Sequence, residues 1–509
     1  MKQLREIALE EWLFVLCGIL FFVFLSFNFH FLSDDAFITF RYVKHFLAGW
    51  GPVYNKGELI EGFSSPLWFL LLSGFGYFHF DLVFAGRALG LLFSLAEILL
   101  FYVFVSKQGF PFIAKLFGFL FLCLNAVRAV WSLGGLEEPL YSFLLFTFFF
   151  CWYENGTGIW TKKRYVGFAF LSFILVLARS EGVIFVAFYL GSQCFTVLKR
   201  KSFWPLFWYA LPFFALFLLG IVVRWNIFHD WVPNTYYAKV GATFYLYLRG
   251  IDYVFQYFWS YGYGSLAVCC GIAAYVSRRR SYLALLMILG VVGGTIFVGG
   301  DGLPMYRFLL PMLPYLAWML VITADYVWQT RTRTTFILSI CIGLFIVGRS
   351  MIPAQDTQYQ YYFYQSTYEI PRWTAVGKWL QFHAKPTDSL AAVPIGAVGY
   401  YSDLYVWDMM GLTNAHIAKK NMSLGNGWAG HEKHDGPYIL KQKPTYLLLG
   451  NIQVLDEQLA TDDARFIHPF NTEIRAREDD MFVPDLWDWY EKNTVALDEG
   501  LYLHYGRLK

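Results

Sequence analysis

Charge is what this 509-residue chain has least of: Asp, Glu, Lys and Arg together make up 15% of it, against roughly 25% in soluble domains. Apolar residues fill the gap at 57%, with aromatics at 21%. A soluble fold cannot hide that much apolar surface, whereas a bilayer can. The formal net charge of +3 gives no footprint for nucleic acid, so no nucleic-acid partner is expected. Cysteine is missing from the polar C-terminal stretch: Cys17, Cys123, Cys151, Cys194, Cys269, Cys270 and Cys341 all lie in or beside apolar segments. That removes a disulfide framework or zinc-type spacing there, and the adjacent Cys269 and Cys270 suit neither a CxxC motif nor a simple bridge. They read as small buried apolar residues. Internal repeats and low-complexity tracts are absent too. So is a small-x-small cleavage site after the first apolar stretch, 12–32, which is also too long for a signal peptide and is expected to remain as an anchor.

A spanning helix needs about 20 mainly apolar residues. Eleven stretches qualify: 12–32, 84–106, 111–130, 138–158, 164–180, 181–199, 203–226, 253–277, 281–300, 304–328 and 334–350. Basic residues are retained on the cytoplasmic side. The clusters Lys162-Lys163-Arg164, Lys199-Arg200-Lys201, Arg278-Arg279-Arg280 and Arg331/Arg333 fall at alternate loops, which places the N-terminus in the cytoplasm and everything after about 350 outside. Residues 66–80 are apolar but short. Counting them as a span would reverse every later loop, so they are expected as an interfacial or re-entrant helix. The chain reads as a polytopic α-helical membrane protein with about 11 transmembrane helices in 1–350, a first outer loop at 33–83, and an extracytoplasmic domain at 351–509. In that last region, runs such as LAAVPIGAVGYYS and YLLLG between turn residues indicate a small soluble α/β domain.

The first outer loop carries the strongest chemical signal. After Ser33, a natural N-cap, Phe37, Phe40, Val43 and Leu47 recur at helical spacing, with Arg41, Lys44 and His45 on another face. The expectation is an amphipathic helix lying on the membrane, its charged face toward headgroups or solvent, opened by Asp34 and Asp35. First-turn acids favour a helix by only about 0.3–1 kcal/mol each. Two adjacent acids where the chain leaves an apolar span point further, to a carboxylate with chemical work. Moving a sugar from a lipid phosphate to a hydroxyl needs one base for the hydroxyl proton and cations to stabilise the departing phosphate. No second acid is required, because phosphate leaves readily as an anion. Asp34 and Asp35 are the candidate catalytic residues, with either as a candidate metal ligand. Arg41, Lys239 and Arg307, with Asn234 and Tyr237, are candidates for gripping the donor phosphate or sugar. Glu61, Glu137, Glu138, Arg179, Glu181, Asp301 and His431 are candidate acceptor-binding or supporting groups on the same side. Glu97 sits in mid-span, where a charge is expensive, and has no partner visible in the sequence.

These blocks resemble a known family. The Asp-Asp pair, the FxxFRY-type helix and GxVYNxGExxEGxxxPLW are similar to the cell-wall arabinofuranosyltransferases, GT-C class enzymes that use polyprenyl-phosphate sugars. ARSEG, PNTYYAK, GGDGLPMYRFLLP, DMMGLTN and GHEK follow in the family's order, so the resemblance runs along nearly the whole chain. It implies a GT-C fold, a first-loop Asp as base, a polyprenyl-phosphate sugar donor with arabinofuranose favoured, a glycan or glycolipid acceptor, and a place in the bacterial inner membrane among its lipids. Some GT-C relatives use a divalent cation, which makes Mg2+ or Mn2+ a candidate cofactor. Ser64-Ser65 and Ser180 depart from the arabinosyl pattern and bear on the sugar more than on the reaction. A transporter or flippase of lipid-linked sugars is the alternative. It would be expected to show internal pseudo-symmetry and mid-membrane charges; an envelope scaffold would leave the two aspartates without a role.

Overall fold

The computed structural model describes residues 9–155, 160–261, 264–330, 343–346, 348–349, 357–463, 465, 479–481, 483, 485–497 and 500–509. The chain opens on α1 (Leu9–Phe29), followed in the first loop by α2 (Asp34–Leu47) and α3 (Pro66–Tyr77). Next come α4 (Leu82–Lys107), α5 (Phe112–Cys123), α6 (Ala126–Ser132), α7 (Glu138–Asn155), α8 (Lys162–Ala178), α9 (Gly182–Arg200) and α10 (Trp204–Phe228). The short α11 (Asn234–Lys239) precedes α12 (Phe244–Ser260), α13 (Gly264–Val276) and α14 (Arg278–Phe297); a 3-10 turn, Arg307–Met312, then runs into α15 (Leu313–Thr330).

Among the described residues six helical segments are long and apolar enough to cross a membrane, with mean hydropathies of 1.5 to 2.4, and a seventh if α5 and α6, bent by 50°, form one broken span. That is fewer than the eleven expected. The stretches 138–158 and 164–180 are helical as α7 and α8, but at 18 and 17 residues, with charged ends, they fall short in length or apolarity. The stretch 253–277 is divided between α12 and α13, and 334–350 lies mostly outside the described residues. The bend in 111–130 has a local cause: the Asn125 side chain accepts the Arg128 N–H and starts a new helix. At 12 residues, α3 is about 18 Å long, too short for an apolar layer about 30 Å thick.

Burial separates the helices. Trp204, Leu211, Leu218, Leu219 and Val222 of α10 are each more than half exposed, a surface stable only against lipid or another apolar phase. α15, by contrast, is buried and packs on α5, α13 and α14. Glu97 in mid-α4 is fully buried and has a partner after all. Arg128 of α6 donates to one of its oxygens at 2.9 Å and Ser142 of α7 to the other at 2.9 Å, which ties three helices together.

The C-terminal region forms a six-stranded sheet. β1 (Ser389–Ala392) pairs in parallel with β2 (Tyr405–Asp408) and β3 (Tyr446–Leu448), while β4 (Val454–Leu455) and β5 (Tyr490–Ala496) pair antiparallel with β6 (Tyr502–Leu508), which also borders β3. Side chains alternate across the sheet. Leu390, Ala392 and Leu448 join the apolar core that continues into the helices, while Ala391 and Leu447 belong to a second core on the far face. Both faces are covered, as parallel strands require. The expected boundary at 350–351 falls outside the described residues.

Arg128→Met should strand the Glu97 carboxylate and destabilise the fold by about 3–5 kcal/mol. Adding Glu97→Gln to it should recover most of that loss. Thermal unfolding of the single and double variants in detergent checks this; a single variant as stable as the double would show that the pair does not hold the helices.

Candidate active site in the first loop

The first loop is roofed by the C-terminal region, and this overturns the expected exposure of α2. Arg41 and His45, placed by the sequence toward headgroups or solvent, are buried at 1% and 2% exposure. The Arg41 guanidinium donates to the main-chain oxygens of Tyr54, Gly399 and Leu404 and lies over the Tyr54 ring. His45 Nε2 stands 3.0 Å from Asp403 Oδ1, and Lys44 and Lys56 reach the same carboxylate at 3.4 and 3.2 Å. Asn55 exchanges hydrogen bonds with the main chain of Val406, at 2.9 and 3.0 Å, as a neighbouring strand would. Ser33 precedes α2 with extended backbone, but its hydroxyl caps nothing; its N–H donates to Gly134 O at 3.0 Å.

The two aspartates at the start of α2 have different surroundings. Asp34 is buried, and its two oxygens accept the N–H groups of Gly396 (2.9 Å) and Ala397 (2.8 Å), which open the helix Gly396–Ser402. Burial pushes its pKa up to about 7, against the lowering effect of those N–H donors and with a further rise from the Asp35 charge. A Cβ at Gly396 would collide with the main-chain oxygen of Asp34, so this approach requires glycine. Asp35 is half-buried and its carboxylate has no hydrogen bond or ion pair among the described residues.

Both acids border a cavity of about 850 Å3 lined also by Arg249, Asp301, Glu369, Trp428 and His431. Beside it runs an ionic network. Arg307 grips Asp301 with Nε and Nη2 at 2.8 and 2.9 Å and reaches Glu138 at 3.2 Å. Arg179 bonds Glu137 (2.9 Å), Glu138 (2.8 Å) and Glu181 (2.9 Å). Arg307 is close enough to Asp35 to feel its charge. Arg179, Glu181, Glu138 and Arg307 line a separate small cavity of about 30 Å3 between α9 and α14, with room for water but little more.

The remaining candidates from the sequence lie elsewhere. Asn234 is buried and donates to Gly411 O and Leu412 O; Tyr237 donates to Asp230; Glu61 holds Arg224 at 2.7 and 3.2 Å; Lys239 packs near Gly430. Together with Arg41 they fasten the loops and do not border the large cavity. Arg249 and Glu369 do border it and were missed. Arg249 donates to Gly299 O and Gly427 O and pairs with Glu432 at 2.9 Å; its Nη2 is buried with no hydrogen-bond partner among the described residues. Its signal in the sequence was a lone cation at the end of the 227–250 loop, and Glu369 had no motif at all. No three of His, Cys, Asp and Glu among the described residues come together as a metal site. A divalent cation at Asp35 would draw its other ligands from water and substrate.

Asp34→Ala should leave two buried N–H groups unsatisfied and loosen the helix Gly396–Ser402 by about 1–3 kcal/mol. Hydrogen exchange at the Gly396 and Ala397 amides reads this directly, and unchanged protection would show the contact to be idle. The Asp403 clasp gives a pH dependence. Its hydrogen bond to His45, with Lys44 and Lys56, holds its pKa well below the ordinary carboxylate value, burial opposing. A depressed carboxylate stabilises the fold above the unfolded value of about 3.9, and that contribution is lost as pH falls below it. The unfolding midpoint should therefore drop below about pH 4 more steeply in the wild type than in Asp403→Asn.

Residues 355–493 match a family described as a domain of unknown function, DUF8728. The chain is 29% identical over 190 residues to a terminal beta-(1->2)-arabinofuranosyltransferase of Mycobacterium tuberculosis, a match spanning 34% of this chain and 30% of that protein. A protein of the same name from Corynebacterium glutamicum is 51% identical over 37 residues, 7% of this chain and 5% of that one. The matched stretches thus span less than a third of either relative. Among solved structures, ArnT from Cupriavidus metallidurans bound to undecaprenyl phosphate has a TM-score of 0.51 at 12% identity, covering 78% of this chain and 86% of that one. The oligosaccharyltransferase of Archaeoglobus fulgidus has a TM-score of 0.52 at 9% identity, covering 94% and 73%. The fold is the GT-C fold of membrane glycosyltransferases.

Proposed function

We propose that the chain is a membrane glycosyltransferase that moves a pentose, arabinofuranose first, from a polyprenyl-phosphate donor to a glycan or glycolipid hydroxyl, with Asp35 as the base. One observation carries the assignment: of the two adjacent acids at the wall of the 850 Å3 cavity, Asp35 alone has no hydrogen bond to its oxygens among the described residues, since Asp34's are occupied by N–H groups. In the reaction the acceptor O–H proton passes to the Asp35 carboxylate as the oxygen bonds to the anomeric carbon of the donor. The bond from that carbon to the phosphate oxygen breaks, and its electron pair leaves with the polyprenyl phosphate. Arg249, which borders the cavity while paired with Glu432 at 2.9 Å, and Arg307 behind Asp301 supply positive charge to the departing phosphate. Asp34, fixed to Gly396 and Ala397, holds the start of α2 so that Asp35 stays in place.

The choice of donor and sugar rests on similarity: to the terminal beta-(1->2)-arabinofuranosyltransferases over the matched stretches, and in fold to an ArnT with undecaprenyl phosphate bound. The setting proposed with it is the bacterial inner membrane, with the C-terminal region on the extracytoplasmic side.

The test uses the purified full chain with polyprenyl-phosphate arabinofuranose and a neutral glycan acceptor. Asp35→Asn should lower the transfer rate by about 10²–10⁴-fold without loss of thermal stability, whereas Asp34→Asn should cost stability first. Transfer by Asp35→Asn at the wild-type rate would remove Asp35 from the chemistry.

A further inference from the structure

One wall of the large cavity is a single helical face that the proposed chemistry does not use. The helix Thr357–Tyr364 passes through a π-helical turn, Gln365–Glu369, into the helix Ile370–His383. The turn has a cause in the sequence: Pro371 has no N–H to continue the regular ladder, and the chain inserts a wider turn before it. Tyr361, Tyr364, Tyr368 and Arg372 recur at three- and four-residue spacing, and with Glu369, next to Tyr368, all border the cavity. The rings of Tyr364 and Tyr368 are 5.7 Å apart and exposed at 49% and 43%. Glu369 lies between them and the segment 450–452. Its Oε1 accepts from Asn451 Nδ2 at 2.9 Å, and Trp373 Nε1 donates to Asn451 O at 3.0 Å.

That segment is strained. Gly450, Asn451 and Ile452 all have positive φ, at 65°, 59° and 62°, and a β-branched residue there is a genuine outlier. Arg372 holds the chain just after it, donating to Val454 O at 3.0 Å and to Asp456 at 2.7 Å. A carboxylate and an amide side by side, flanked by exposed tyrosine rings, are the groups that take paired hydroxyls and the apolar faces of sugar rings. The lining is acidic on balance, with Asp34, Asp35, Asp301 and Glu369 against Arg249 and Arg372, which disfavours an anionic glycan. At about 850 Å3 the space lies near the top of the roughly 300–1,000 Å3 range of ligand sites, more than one sugar ring needs.

We infer that this wall is a second carbohydrate subsite, in which Glu369 and Asn451 bind hydroxyls and Tyr364 and Tyr368 stack on rings of a neutral oligosaccharide acceptor, several units from its reacting end. The inference rests on the glycosyltransferase reading for calling the ligand an acceptor, but its binding is measurable without transfer. Burial, and then the Asp34 charge, push the Glu369 pKa up to about 7, so its carboxyl also donates to a hydroxyl near neutral pH. The subsite makes the protein a selector of chain length.

The experiment measures binding of an arabinofuranosyl disaccharide and hexasaccharide to the full chain in detergent by calorimetry, on the wild type, Asp35→Asn, Glu369→Gln and Tyr368→Ala, alongside transfer kinetics. The hexasaccharide should bind the wild type and Asp35→Asn alike and more tightly than the disaccharide. Glu369→Gln and Tyr368→Ala should each weaken hexasaccharide binding about tenfold, the scale of one such contact, leave the disaccharide unaffected, and raise KM with kcat unchanged. Tyr368 is exposed, so its removal does not open the core. Equal affinity for the two sugars, or variants that bind the hexasaccharide like the wild type, would overturn the subsite even if transfer is robust. A chain that transfers no sugar but shows the expected binding pattern keeps the subsite and loses the enzymatic reading.

Discussion

A carboxylate removed from water is tolerated only where its oxygens meet donors, and Asp34 meets two, at the first turn of the helix Gly396–Ser402. Much of the site depends on this contact. It brings the start of α2 against a helix of the C-terminal region, close enough that Gly396 and Gly399 have no room for a side chain beside Asp34 and Tyr54. Once the backbones are that close, Arg41 can reach the main-chain oxygens of Gly399 and Leu404, Tyr54 that of Ile395, and His45 the Asp403 carboxylate. The first loop and the C-terminal region thus share one buried polar seam, and the large cavity is walled by both.

The second constraint is electrostatic and acts between helices. Arg179 and Arg307 together hold Glu137, Glu138, Glu181 and Asp301, joining the ends of α7, α8 and α9 to the turn before α15. Four carboxylates against two guanidiniums leave the cluster acidic, and Glu138 keeps one buried oxygen without a hydrogen-bond partner among the described residues. Removing either arginine would strand several acids at once, which is far more costly than losing an exposed pair. Contacts to Asp301 and Glu138 fix the orientation of Arg307 behind Asp301.

What could be read from the residues alone followed from local pattern. The start of α2 at Asp34, the shortness of α3 and the strand-like runs of the C-terminal region are all periodicities or turn signals within a few residues. What could not be read depends on partners far along the chain. Arg41 looked like a headgroup contact because two of its main-chain acceptors, Gly399 and Leu404, lie more than 350 residues away. Glu97 looked solitary because Arg128 sits on another helix. The count of spans is not fixed by hydropathy either, since α7 is apolar and enclosed by other helices, and hydropathy does not distinguish enclosure by protein from exposure to lipid. Glu369 carried no pattern, its position being set by the π turn ahead of Pro371.

The adjacency of Asp34 and Asp35 has a geometric meaning. Successive residues of an α-helix point about 100° apart, so two neighbouring acids on α2 cannot both face the helix Gly396–Ser402. Fixing Asp34 there turns Asp35 aside, toward the cavity, with no hydrogen bond to its carboxylate among the described residues. A single aspartate would have to serve as tether and as free carboxylate at once, and both oxygens of Asp34 are already engaged by N–H donors. Dividing the tasks between consecutive positions resolves the conflict, because the tether sets the direction of its neighbour through the helix itself. The first-turn placement adds a modest dipole stabilisation for both negative charges, so the helix that orients the pair also makes its charge tolerable.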